Sequence, residues 1–157
     1  MAIGTVTAAQ AATGKPVHGH GFGGNAKVAW GTYNIAAATA DGDIIQLCRV
    51  PAGATVVGGW LIGQDIDTGT ETWDADFGWA ANGDEVGNPA GFGNFGVISG
   101  DAIDGNEAGI FRMLGGVIRS AGPKTFNAET VLQLEVNAAA NATGTGQITV
   151  IVFYVMP

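Results

Sequence analysis

Charge is scarce in this chain, and that scarcity excludes several functions at once. Of 157 residues only six are Lys or Arg, against fourteen Asp and Glu, for a net charge of −8 and a sequence pI near 4.3. Six scattered cations cannot form the basic stripe that neutralises several phosphates, so nucleic acid is not an expected partner, and neither is an anionic membrane surface. Cysteine is nearly absent: Cys48 stands alone, so no intrachain disulfide can form. Within an apolar run it reads as a small buried hydrophobe and not as a nucleophile. No stretch reaches the ~18–20 apolar residues that span a bilayer. The start of the chain has neither a basic n-region nor an apolar h-region, so a secretory leader is not expected. Without secretion, Asn141-Ala142-Thr143 is a polar turn and not a glycosylation site.

Catalytic motifs are equally sparse. There is no Gly-x-Ser-x-Gly elbow, no His-Glu-x-x-His and no Cys-x-x-Cys. The two serines, Ser99 and Ser120, have no histidine nearby in sequence. Asp74 and Asp76 form an acid pair that glycosidase chemistry could use, but surface alternation along a strand explains them more simply. The expectation is a non-enzymatic protein with no catalytic residues and no cofactor.

What the chain has in quantity is glycine, 27 residues, together with an apolar fraction of 46%. The apolar residues fall into short β-rich runs separated by Gly, Asp, Asn and Pro clusters, which is turn chemistry. Candidate strands are 27–36, 43–50, 55–62, 72–80, 131–137 and 147–155. Helical periodicity is almost missing, so the fold class expected is an all-β antiparallel sandwich. Residues 1–26, rich in Ala, Thr and Gly, have little apolar surface to offset the entropy of ordering. They are expected to form an extended N-terminal arm, with the sandwich domain spanning 27–157.

Two runs alternate. Trp73, Ala75, Phe77 and Trp79 point one way, with Asp74, Asp76 and Gly78 on a wet face; Leu132, Leu134 and Val136 oppose Gln133, Glu135 and Asn137. The last run differs, because Ile148, Val150, Val152 and Tyr154 occupy one face while Ile151, Phe153 and Val155 occupy the other. Such a strand is either covered on both sides or exposed at a subunit interface, and the second reading suits an antiparallel sandwich. Residues 83–96, with seven glycines or asparagines around Phe92 and Phe95, read as a long contact loop anchored by those two rings. Residues 106–114 fit either a short helix or a strand.

Metal and sugar sites are weighed against simpler explanations. The stretch Asp65, Asp67 and Glu71, followed by Asp74 and Asp76, could converge oxygen ligands on Ca²⁺. Its spacing is not that of an EF-hand, and a solvated acidic turn accounts for it. His18 and His20 lack a third ligand, and the surrounding glycines open no helix, so neither a metal nor a phosphate site is assigned. Trp73 and Trp79 share a face with Phe77 and belong to the core, while Trp30 and Trp60 fit either a core or an exposed sugar-stacking surface.

The stretch Asp41-Gly42-Asp43, an apolar strand, Val50-Pro51-Ala52-Gly53-Ala54 and a second apolar strand is followed by an acidic turn and Ala75-Asp76-Phe77-Gly78-Trp79-Ala80. This pattern resembles small structural proteins encoded beside the major capsid proteins of tailed bacteriophages. The opening Ala12-Thr13-Gly14-Lys15-Pro16-Val17-His18-Gly19 is similar to their loose arms. The resemblance covers 27–80 and the closing strand 146–155. It implies a jelly-roll-like decoration (cement) protein on the virion surface, made in the host cytoplasm, partnered by the major capsid protein and commonly a homotrimer. It transfers no catalytic residue. A carbohydrate-binding jelly roll at the head of a viral fibre, and a small β-sandwich hydrolase, are the alternatives.

Overall fold

The computed structural model describes residues 26–35, 39–64, 66, 72–97, 110–139 and 145–157. The proposed arm, His18 and His20, most of the 65–71 acidic stretch, Ser99 and the 141–143 triplet lie outside them. Among the described residues nine strands and one short helix follow in order: β1 (Lys27–Ile35), β2 (Ile44–Val50), β3 (Thr55–Gly63), β4 (Asp74–Trp79), β5 (Asn88–Val97), β6 (Ile110–Met113), α1 (Val117–Ala121), β7 (Lys124–Thr125), β8 (Thr130–Ala138) and β9 (Gly146–Val155). All six strands expected from the hydrophobic pattern are present, within a residue or two of their expected limits.

The strands make two antiparallel sheets, one ordered β1-β9-β3-β6 with β7 beside β3, the other β2-β8-β4-β5. The pairing is nested: β1 with β9, β2 with β8, β3 with β6, β4 with β5. A ribbon of four strands is thus matched by a returning ribbon, and the doubled ribbon wraps so that β9 meets β3 and β8 meets β4. That wrapping is the jelly roll. Turns anticipated from composition hold it. At Pro51-Ala52-Gly53 the Ala54 amide donates to the Pro51 carbonyl (3.1 Å), with Gly53 at φ 83°, a value that favours glycine.

Between the sheets the alternating residues meet as expected. Trp73, Ala75, Phe77, Leu132, Leu134, Val136, Ile148, Val150 and Val152 are all fully buried. An aromatic cluster closes one end, with Trp79 edge-on to Phe92 (5.2 Å between centroids) and to Phe126 (5.3 Å). Lys124 lies over Trp79 and Phe126 (5.3 and 5.1 Å) and is paired to Glu85 at 2.6 Å. Glu85 is positioned by Asn82, whose side-chain oxygen accepts from the Asp84 and Glu85 amides and whose amide donates to Thr130.

One expectation is overturned. The 83–96 stretch is not a long loop, because most of it is β5, the edge strand of the second sheet. Phe92 does anchor it, fully buried, and Phe95 packs partly against the core. Gly91 serves sterics and not turning: a Cβ there would sit 2.0 Å from the Trp79 ring. Within the 106–114 stretch, the described part is a strand, β6.

Candidate interaction surface

Strand β9 runs through the middle of its sheet, between β1 and β3. One of its faces is core. Among the described residues no second layer covers the other, which forms the outer wall of this sheet. Register extends that face sideways. Ile151 is flanked by Trp30 of β1 and Trp60 of β3, and Phe153 by Val28 and Gly58. A register shift at Val57 turns its side chain outward as well. Among the described residues Trp30 is 67% exposed, Val28 53% and Val57 40%, while Trp60, Ile62, Ile151, Phe153 and Val155 are half-buried. The two tryptophans left open by the sequence thus stand on one row, one open and one partly covered.

No outward position of β1, β9 or β3 carries a charge. The polar rows at its end, Thr32 with Thr149 (2.8 Å) and Gln147 with Asn34 (3.0 Å), are hydrogen-bonded to each other. In a chain of net charge −8, an uncharged apolar wall is the face on which acidic copies can meet without repulsion.

The outer wall of the second sheet is chemically opposite. One row crosses all four strands as Ile44, Glu135, Asp76 and Asn94, and the next carries Gln46 and Gln133 beside Gly78. Asp74 accepts from the Asn137 amide at 3.5 Å on the same face. Asp76 departs from the wet position its alternation predicts, retaining only 8% exposure. Beside it, Gly78 has no room for a side chain, since the Asn88 and Pro89 carbonyls stand 1.9 and 2.5 Å from where its Cβ would be.

The remaining candidates are weaker. Cys48 faces the core from β2, and burial pushes its thiol up from an ordinary 9.0 to about 12, so it stays protonated and unreactive. Among the described residues no group of three His, Cys, Asp or Glu is placed to hold a metal ion, and no helix is long and apolar enough to cross a membrane. A shallow cleft of about 400 Å³ lies between β5 and the start of α1, lined by Phe92, Asn94, Phe95, Gly116 and Arg119 among others.

No protein-family model and no curated protein matches the chain. Solved structures do. A chain of the cyanophage Pam1 capsid asymmetric unit is 25% identical, covering 99% of this chain and 100% of that one, with a TM-score of 0.62. A chain in the capsid of Ralstonia phage GP4 is 24% identical over 90% of each chain (TM-score 0.61). One in the acid-stable capsid of the Helicobacter pylori bacteriophage KHP30 is 19% identical over 86% of this chain and 90% of that chain (TM-score 0.53). The last two likenesses are of fold alone. The resemblance read from the Asp-Gly-Asp and Val-Pro-Ala-Gly-Ala segments is thereby borne out: this jelly roll is similar, over most of its length, to chains of phage capsid structures.

Proposed function

We propose that the protein is a structural component of a phage virion. More sharply, it is a decoration protein that binds the outer surface of the capsid lattice, takes the major capsid protein as its partner and stiffens the shell. The observation that carries this reading is the end-to-end match to a chain of a phage capsid, with neither chain leaving a substantial part unmatched. The uncharged wall centred on Ile151 and Phe153 supports self-association, as a homotrimer in keeping with lattice symmetry. A protein of this kind gains avidity from several modest contacts, one of them supplied by residues 1–26 as an arm reaching a neighbouring subunit.

The test adds purified chain to shells of the major capsid protein that lack it, followed by sedimentation. The full chain should travel with the shells, and a chain lacking residues 1–26 should bind more weakly while melting at the same temperature. Equal binding by the shortened chain would remove the arm from the account.

Glycan binding is the second reading, favoured by the open ring of Trp30. Sugar recognition also needs polar groups beside the ring. Trp30's described neighbours across the sheet are Ile151 and Trp60, and the hydroxyls of the next outward row, Thr32 and Thr149, bond each other. The apolar row fits a protein surface better.

A further inference from the structure

Ala75 and Phe77 are buried in the core, so Asp76 between them points to the outer wall of the second sheet. There its Oδ1 is buried without a hydrogen-bond partner. Its register partner on β8 is Glu135, which sets two carboxylates opposite each other across the strand pair. Like charges so placed are destabilising, and a buried acceptor without a donor adds to the cost. Among the described residues neither carboxylate has an ion pair. Arg49 pairs with Glu129 and lies level with Val131, four residues from Glu135, or roughly 13 Å along the strand. Lys124 is held by Glu85.

We propose that Asp76 and Glu135 together receive an arginine side chain of the capsid protein on which this protein sits; the inference rests on the decoration reading. Glu135, half-exposed, is the acceptor within reach, and the negative charge of the Asp76 carboxylate opposite it adds to the attraction for the same donor. A guanidinium supplies parallel N–H donors that two adjacent carboxylates can share. A divalent cation is disfavoured, since no third acid is placed to complete its shell among the described residues. A second copy is disfavoured because it would bring the same carboxylates. The two walls then divide the work, the uncharged one meeting copies of the chain and the acidic one meeting the lattice.

The experiment compares the full-length chain with Asp76→Asn, Glu135→Gln and the control Asp84→Asn, an exposed acid in the β4–β5 loop. Each is sedimented with shells over a salt series and melted alone. The proposal expects Asp76→Asn and Glu135→Gln to bind at least about tenfold more weakly, with a flatter salt dependence. It also expects Asp76→Asn to melt about 2–4 °C higher, from relief of the unpartnered carboxylate. Asp84→Asn should bind like the parent. Unchanged binding by the two site variants overturns the arginine contact and leaves decoration standing. Equal weakening by Asp84→Asn also overturns it, reducing the effect to net charge. Stabilisation of the isolated parent, but not of Asp76→Asn, by millimolar calcium chloride overturns it in favour of a metal site. A parent chain that does not sediment with shells overturns decoration and the contact together.

Discussion

Replacing Trp30 with serine separates the proposed self-association surface from the fold. The ring is 67% exposed on β1, an edge strand, so its removal takes little from the core of the single chain. An aromatic side chain buries about 150–250 Å² when enclosed, and two thirds of that is roughly 100–170 Å². At about 25 cal/mol per Å² the contact contributes some 2.5–4 kcal/mol per copy, the range of an interface hot spot. The dissociation constant of the assembly should therefore rise by about two to three orders of magnitude. Sedimentation equilibrium over a dilution series reads this directly: the parent should hold its oligomer where Trp30→Ser has become monomeric. Thermal melting of the dilute monomers should coincide. A parent that is monomeric at every concentration, or a variant with unchanged mass, would refute the reasoning from this wall.

Three further outcomes test the fold's internal logic. Gly91→Ala places a methyl group into the Trp79 ring and should cost at least about 1–3 kcal/mol in denaturant unfolding, as overpacking does. Lys124→Met strands Glu85 in a half-buried position and should cost about 1–2 kcal/mol, most of it recovered when Glu85→Gln is added. Cys48 should react with a thiol reagent at pH 8 far more slowly in the folded chain than in the unfolded one. Because the folded thiol's ionisation is raised, the unfolded chain deprotonates first, so stability is complete below about 9 and declines as pH rises toward 12.

Much of the architecture was legible because the strands that build the core obey simple alternation. Trp73 to Trp79 and Leu132 to Val136 show which side is inside from their spacing alone, and the structure agrees. β5 was hidden because its glycines look like loop chemistry. Gly91 is there since Trp79 lies against it, a contact between neighbouring strands that no local pattern reports. The interaction wall was half legible. The two-faced run 148–155 pointed to it, but whether Trp30 or Trp60 lay open depended on β1 being the edge strand and β3 an interior one. Asp76 shows the opposite failure. Its alternation is right and its face is the outer one, yet it is only 8% exposed, a burial that alternation within one strand does not report.

The virion role is tested most directly by quantitative mass spectrometry of purified particles from the source. The account predicts this chain at a fixed ratio to the major capsid protein, in comparable amounts, and lost in step with shell stability when removed. Its absence from particles, or presence in only a few copies, would contradict a lattice-wide decoration role.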